Sequence, residues 1–326
     1  MLPFAKPADL ADVRSVGIPR ALLWYRYGAL WEEFFRSLGR EVVLSGQTDK
    51  GVLAAGEARS VDECCLASKL YFGHAAQLVG ACDALFVPAY ANEGRLASFC
   101  TKFQSLPDLT ACTLADEGVR TFGVFVDRVG ERTSARKAFQ DLAERFGARP
   151  KEAVEAWKAA AHAQQQREAA QARRFADGLE RARRGAGLSI LLVAHAYVAH
   201  DPYVGGDIVR MLEDLGAHVV MADEADRQRA WKRSFEFSDT MPWAPNRELV
   251  GALLEALDAV DGVVLASAFP CGPDSMTNDA IARCVQGKPM LSLTIDAQSG
   301  TAGLETRVES FVDILQFQRK GGYVRD

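Results

Sequence analysis

Several sequence signals are missing from this chain of 326 residues, and each absence excludes a class of protein. No apolar run approaches the roughly 18 residues that a membrane-spanning helix needs. Residues 1–7 contain no apolar core of a secretory signal, so export is not indicated. We therefore expect a cytoplasmic protein that does not enter a membrane.

Signals for nucleotide and nucleic-acid binding are missing as well. No G-x-G-x-x-G pattern follows a predicted strand, so the dinucleotide-binding fingerprint is lacking. Gly287-Lys288 is followed by Pro289 and lacks the upstream glycine of a phosphate-binding loop, so we do not expect this chain to hydrolyse ATP itself. The net charge of −5 provides no general electrostatic reason to bind nucleic acid.

Cysteine pairs with the spacing C-x-x-C are also absent, although the chain has seven cysteines. This absence argues against zinc-ribbon, thioredoxin-type and ferredoxin-type sites, which depend on paired local ligands. Disulfides are disfavoured in a cytoplasmic protein. Because no local C-x-x-C pair is present, a metal site would have to be assembled from distant segments. The cysteines are Cys64, Cys65, Cys82, Cys100, Cys112, Cys271 and Cys284.

Short apolar runs alternate with segments of helical periodicity through most of the chain. Runs at 15–20, 41–45, 84–88, 121–126, 189–193, 218–221, 262–266 and 289–295 predict strands. Segments at 22–38, 61–79, 205–215, 247–257 and 305–318 predict helices, and another helix is expected to open at 271–274. This alternation predicts an α/β fold with two tandem doubly wound, flavodoxin- or Rossmann-like parallel-sheet domains.

Residues 131–184 differ from their surroundings, because Ala, Gln and Arg dominate and Gly and Pro are nearly absent. We interpret this stretch as two helices, the second one long, that form a helical insert between the domains. The predicted boundaries are an N-terminal α/β domain at 1–130, a helical connector at 131–187 and a C-terminal α/β domain at 188–326. A solvated spacer without chemistry is the simplest reading of the connector.

The positions of three cysteines single them out as candidate ligands. Cys100 and Cys271 follow predicted strands, and ligands of doubly wound sheets collect outside the carboxyl ends of strands. Cys65 lies near the start of a predicted helix, after Asp62 and Glu63, where the helix dipole stabilises a thiolate. Buried structural thiols remain the alternative reading of all three.

The chain resembles the iron–sulfur family that comprises the 2-hydroxyacyl-CoA dehydratase D-component, the benzoyl-CoA reductase subunits and the double-cubane cluster proteins. Within it, the short proteins related to CoA-protein activases, or dehydratase activases, are the most similar branch. The resemblance is carried by Gly17-Ile18-Pro19-Arg20-Ala21-Leu22, Phe34-Phe35, Leu38-Gly39, Asp62-Glu63, Cys65-Leu66, Lys69, Gly73-His74, Cys100, Lys102-Phe103, Pro107-Asp108, Asp201-Pro202-Tyr203, Phe269, Cys271-Gly272-Pro273-Asp274-Ser275, Ile295-Asp296, Ala302-Gly303 and Thr306-Arg307.

The resemblance implies an iron–sulfur cluster held by Cys65, Cys100 and Cys271 with one iron left open. The cluster would be a 4Fe-4S cubane or an 8Fe-9S double cubane. The implied function is a low-potential reduction or a radical dehydration, driven by electrons from an ATP-dependent activase. The alternatives are a non-catalytic, cluster-carrying or electron-transfer accessory protein of such a system, and a redox switch of the adjacent thiols Cys64 and Cys65 without a cluster.

The resemblance also implies partners. We expect a homodimer, or a heterodimer with a related subunit, an ATP-hydrolysing iron–sulfur activase as electron donor, and a small-molecule or acyl-CoA substrate. Neither nucleic acid nor a membrane is expected as a partner.

Other candidate residues have weaker support. Cys64 is a less favoured extra ligand, and Lys69 and His74 are candidates to lie close to the cluster without binding it. His195 and His200 flank a polar loop and are candidates for anion binding or acid–base chemistry, although ordinary loop residues are the simpler reading. Buried structural thiols are expected at Cys82, Cys112 and Cys284.

Overall fold

The computed structural model describes residues 9–298 and 301–322, without the side chains of residues 301 and 302. Residues 1–7, for which no secretory signal was predicted, therefore lie outside the described part. So does the side chain of Ala302, one of the residues that carry the resemblance. The chain forms two compact units: unit 1 comprises Met1–Asp62 and Ser68–Arg167, and unit 2 comprises Glu63–Ala67 and Glu168–Asp326. The domain boundaries inferred from the sequence at 130 and 187 stay a prediction.

Unit 1 is built on a parallel sheet with strand order β2-β1-β3-β5. A second parallel pair, β4-β6, continues beyond it. Pro88 interrupts the step from β3 to β4 because proline has no N–H to donate to a neighbouring strand. The strands are β1 (Ser15–Ile18), β2 (Glu41–Leu44), β3 (Ala84–Phe86), β4 (Ala89–Asn92), β5 (Thr121–Phe122) and β6 (Phe125–Asp127).

Helices cover this sheet, and aromatic side chains form its core. The rings of Phe35 and Phe86 meet edge to face with their centroids 4.9 Å apart, and burial of each such ring stabilises the fold by about 1.5–3 kcal/mol. The helices in the first half of the chain are α1 (Trp24–Ser37), α2 (Lys50–Glu57), α3 (Leu66–Gln77), α4 (Thr101–Gln104), α5 (Leu106–Thr113) and α6 (Ala135–Arg145), with a 3-10 turn at Ala115–Glu117.

The two helices predicted within residues 131–184 are confirmed as α6 and the 34-residue α7 (Pro150–Arg183), while the connector boundaries stay a prediction. The predicted start of α3 is wrong. The helix begins at Leu66, so Asp62 and Glu63 lie in a turn before it and do not occupy its first turn. Acidic residues favour a helix start, but they do not decide at which residue the helix begins.

Unit 2 has a parallel sheet with strand order β10-β9-β7-β8. Its strands are β7 (Leu188–Val193), β8 (Ala217–Met221), β9 (Gly262–Ala268) and β10 (Met290–Ile295). Every residue of β7 and β9 is buried, as expected for the central strands of a sheet covered on both faces. Its helices are α8 (Ala196–Ala199), α9 (Gly206–Asp214), α10 (Arg227–Arg233), α11 (Ala244–Ala256), α12 (Gly272–Cys284) and α13 (Thr301–Arg319), with 3-10 turns at Ala222–Glu224 and Ser234–Glu236.

The two sheets share one connectivity, and the tandem α/β fold predicted from the sequence is confirmed. In each, the second strand lies on one side of the first and the third strand on the other. The carboxyl ends of the first and third strands therefore meet where the winding reverses, the usual ligand position in such folds. In unit 2 these strands are β7 and β9. No helix in the described ranges is both long and apolar enough to span a membrane.

Candidate functional site

The point where the winding of unit 2 reverses is lined by polar side chains from β7 and β9. His195 is the second residue after β7 and is 7% exposed. Cys271 follows β9 and occupies the N-cap position of α12, and Asp274 lies in the first turn of that helix. The topology therefore brings an imidazole, a thiol and a carboxylate to one edge of the sheet.

Asp274 is the centre of this group. One oxygen, Oδ1, lies 2.7 Å from Nε2 of His195 and accepts a 2.9 Å hydrogen bond from Nδ2 of Asn246. The Asn246 amide also contacts Oγ1 of Thr277 at 3.2 Å. Burial by itself would raise the pKa of Asp274, but His195, Asn246 and Cys271 together lower it. The carboxylate is therefore held in its charged form.

The same surroundings have the opposite effect on the neighbouring thiol. Burial is the largest cause that raises the pKa of Cys271, and the charge of Asp274 and the proximity of Cys65 add to it. Cys271 is consequently protonated at neutral pH.

Cys65 belongs to unit 2 although it precedes most of that unit in sequence by about a hundred residues. The backbone N–H of Leu66 donates a 2.8 Å hydrogen bond to the carbonyl of Phe269, which ties the segment 63–67 to the end of β9. Cys65 is half-buried and Cys64 is buried. The structure thus brings Cys65 and Cys271 together in one unit.

Cys100 occupies a comparable local position in unit 1. It is the half-buried N-cap residue of the four-residue helix α4. In the residues that the structure describes, no group of three or more His, Cys, Asp or Glu side chains is arranged to hold a metal ion. The assignment of Cys65, Cys100 and Cys271 as ligands stays a prediction of the resemblance.

The remaining sequence candidates separate into different surroundings. His74 is fully buried in α3 of unit 1, where its Nε2 contacts Oγ1 of Thr48 at 2.9 Å. Lys69 is half-buried in the same helix. His200 pairs with Asp223 at 2.8 Å on the edge of unit 2, next to β8.

The prediction of buried structural thiols is wrong for Cys112 and Cys284, which are exposed. Cys82 is half-buried, and its thiol donates to the carbonyl of Leu78 at 3.4 Å. All seven cysteines lie in the described ranges, and no disulfide joins them. The adjacent-thiol switch at Cys64 and Cys65 stays a prediction.

Two polar residues of the site had little or no sequence signal. Asp274 was visible as the fourth residue of Cys271-Gly272-Pro273-Asp274, where proline marks a helix start and an acidic residue suits the first turn. Asn246 lies in α11, between Pro245 and Arg247, and nothing in that pattern indicates a partner. Its role follows only from the packing of α11 next to α12.

Two solved structures are distantly similar to the chain. A Mn-bound periplasmic metal binding protein from candidatus liberibacter asiaticus, in a mutant form, is 11% identical with a TM-score of 0.25, and the alignment covers 92% of this chain and 99% of that one. A sugar binding protein from Salmonella typhimurium LT2 is 12% identical with a TM-score of 0.24, covering 94% and 88%. Neither likeness contributes to an assignment. No curated protein matches the chain.

A family model described as "CoA enzyme activase uncharacterised domain" matches residues 15–224, more than half of the chain. This match supports the relation to CoA-enzyme activases, but not to the dehydratase D-component in particular. The predicted function, a cluster-carrying dehydratase-like component with an open iron, is therefore wrong. The match points to the activase side, and the described residues form no metal-binding group. The chain belongs to the CoA enzyme activase uncharacterised domain family.

Proposed function

We propose that this chain takes part in the activation of a CoA-dependent enzyme, as an activase-side component of a dehydratase system. The observation that carries the proposal is the family match over residues 15–224, which includes most of unit 1 and the first two strands of the unit 2 sheet. A dehydratase that converts CoA thioesters is the partner that this family description suggests.

The edge of unit 2 is the proposed place of action. An ionised Asp274 at 2.7 Å from Nε2 of His195 favours the tautomer with the proton on that nitrogen. Nδ1 is then left as the imidazole atom that can accept or deliver a proton. The paired carboxylate also holds the ring in one orientation.

The chain is not proposed to hydrolyse ATP by itself, because it lacks a phosphate-binding loop. A partner protein would supply that reaction, and purified chain mixed with ATP should release phosphate only at the background rate. Cytoplasmic location, dimer formation and an iron–sulfur cluster stay predictions. The cluster is tested by iron and sulfide analysis of anaerobically purified protein. Wild type is compared with the Cys65→Ala, Cys100→Ala and Cys271→Ala variants.

The test uses cells from which the gene for this chain has been deleted. Anaerobic extracts are assayed for dehydration of CoA thioesters before and after purified chain is added back. We expect the deletion to lower the activity at least tenfold and wild-type protein to restore it. Full activity in the deletion extract would contradict the proposed function.

Variants then test the place of action. His195→Gln should fail to restore activity, since general acid–base groups typically contribute about 10²–10⁴-fold to a rate. His200→Gln is the matched control, because it removes a histidine from the second histidine–carboxylate pair of the same sheet edge. If His195→Gln restores activity as well as His200→Gln does, the sheet-edge site is not where the chain acts.

A further inference from the structure

A second group of polar residues lies in unit 1, where β1 and β2 end. Arg20 follows β1 after Pro19, and its backbone N–H donates a 2.9 Å hydrogen bond to Oγ of Ser45, the first residue after β2. Thr48 lies three residues further along the same loop, where it contacts His74 of α3. Ser45 and Thr48 are both buried, at 4% and 7% exposure.

Arg20 is a half-buried cation that has no ion-pair partner among the described residues. Its guanidinium lies over the ring of Trp24 at 5.1 Å, and its Nε is buried without a hydrogen-bond partner. No carboxylate in the described ranges forms an ion pair with it, whereas Arg59 of the same unit pairs with Glu117 at 2.8 Å. Leaving a partly buried charge and a buried N–H group without partners is costly, so this arginine at a sheet edge indicates an absent anionic partner.

His74 provides an independent observation at the same place. Its side chain is fully buried, and Nδ1 has no hydrogen-bond partner among the described residues. Burial lowers its pKa to about 4, with Arg20 as the second cause, while Asp49 acts in the opposite direction. The ring is therefore neutral at pH 7 and adds no second positive charge beside Arg20.

We propose that Arg20, with Ser45, Thr48 and His74, forms a binding site for the phosphate group of a small ligand. A guanidinium offers several N–H donors in the planar arrangement that phosphate oxygens accept, and the hydroxyl groups supply further donors. The nearby carboxylate of Asp49 accepts the N–H of Val52 at 2.8 Å and so has a role of its own as the N-cap of α2. The site belongs to unit 1 and does not depend on the proposed function.

Several molecules carry this chemistry, and the experiment separates them. Inorganic phosphate, ADP, coenzyme A and pantetheine, which has no phosphate, are titrated in turn into the full-length chain by calorimetry. We expect saturable binding of at least one phosphate-bearing ligand and none of pantetheine. Binding of inorganic phosphate would identify a phosphate site. Binding of ADP without inorganic phosphate would identify a nucleotide site. Binding of coenzyme A without the other two ligands would identify a site for the phosphates of that cofactor.

Variants locate the site. Arg20→Gln should weaken binding about tenfold or more, since a hydrogen bond to a charged group contributes about 1.5–3 kcal/mol. Arg20→Lys retains the charge and should bind more tightly than Arg20→Gln. Arg36→Gln is the control, because Arg36 is exposed on α1 of the same unit and pairs with Glu32. It should bind as wild type does.

Nitrogen NMR of the histidine rings gives a readout besides affinity. Ligand binding should shift the ring signals of His74, assigned by their loss in His74→Gln, and leave those of the exposed His162 unchanged. Three results would overturn the proposal: no saturable binding of any phosphate ligand, wild-type affinity in folded Arg20→Gln protein, or binding without a shift at His74.

Discussion

The surroundings of a side chain, more than its type, decide what it can do in this protein. His195 faces the carboxylate of Asp274, which holds the ring in one orientation at a sheet edge. His74 contacts the hydroxyl group of Thr48 through Nε2 and lies near the positive charge of Arg20. The first arrangement suits proton transfer, whereas the second keeps an imidazole neutral.

The neutral state of His74 predicts a pH dependence of stability. Its pKa is about 4 in the folded protein and about 6.5 in an unfolded chain. As the pH falls from about 6.5 to about 4, the unfolded chain therefore takes up a proton that the folded chain does not. The free energy of unfolding should decrease by about 2 kcal/mol between pH 7 and pH 5 from this residue, with no further gain above pH 7.

Urea unfolding at pH 7 and pH 5 measures this effect. In His74→Gln, the free energy of unfolding should differ between the two pH values by about 2 kcal/mol less than in wild type. His162→Gln, which changes an exposed histidine of α7, should keep the wild-type difference. Equal pH dependence in His74→Gln and wild type would show that His74 titrates normally in the folded protein.

At the scale of secondary-structure elements, close helix crossings place these residues. A Cβ atom at Gly56 would lie 1.9 Å from the carbonyl oxygen of Lys69, and one at Gly73 would lie 2.0 Å from that of Val52. Helices α2 and α3 therefore touch backbone to backbone, which brings His74 next to Thr48. The crossing of α10 and α11 uses Gly251 against the Ala230 carbonyl in the same way.

Alanine substitution of these glycines should destabilise the protein, although alanine has a higher helix propensity than glycine. Gly73→Ala places a methyl group against a carbonyl oxygen, and overpacking of this kind costs about 1–3 kcal/mol. Gly303→Ala in α13 is the control. A Cβ there meets no atom of the described residues within 4 Å, so alanine should stabilise its helix by up to about 1 kcal/mol.

Thermal unfolding followed by circular dichroism compares the two variants. The melting temperature should fall for Gly73→Ala and rise or stay unchanged for Gly303→Ala. A melting temperature of Gly73→Ala at or above that of wild type would mean that α2 and α3 are not in backbone contact.

At the scale of the whole molecule, the order of the chain and the division into units do not coincide. The five residues Glu63–Ala67 belong to unit 2, while the chain on both sides of them belongs to unit 1. The hydrogen bond from Leu66 to the Phe269 carbonyl joins this segment to the end of β9. Cys65 thereby reaches the neighbourhood of Cys271 within unit 2.

That hydrogen bond can be removed with little effect on the helix. Leu66 is the first residue of α3, a position where proline is tolerated. Leu66→Pro therefore removes the N–H that donates to Phe269 and leaves the hydrogen bonds within the helix intact. Compared with Leu66→Ala, it should lower the free energy of unfolding by about a further 1 kcal/mol. This corresponds to a decrease of roughly 2–4 °C in melting temperature for a unit of this size.

The comparison with alanine removes the contribution of the leucine side chain. Differential scanning calorimetry of both variants measures the difference, and hydrogen exchange around Phe269 locates it. Identical melting temperatures for Leu66→Pro and Leu66→Ala would show that the segment 63–67 is not held by this bond.

The sequence predicted much of the fold because buried strands have a local signal. The apolar runs in β7 and β9 and the alternation with helices were sufficient for the tandem parallel-sheet architecture. Short elements such as α2 and α10 were missed, since eight or seven residues show too little periodicity to stand out. The family relation was also visible in motifs such as Gly17-Ile18-Pro19-Arg20, whereas the function attached to it went further than the activase match allows.

The sequence by itself determined the fold class, the two helices α6 and α7 and the sheet edges at which polar residues collect, because each depends on local pattern. Only the tertiary structure decided which side chains meet there. It placed Asn246 against Asp274, left the buried Nε of Arg20 without a hydrogen-bond partner among the described residues, and put the segment 63–67 in unit 2. These facts depend on contacts between residues far apart in the chain, and no local pattern encodes the distance or the orientation of such pairs.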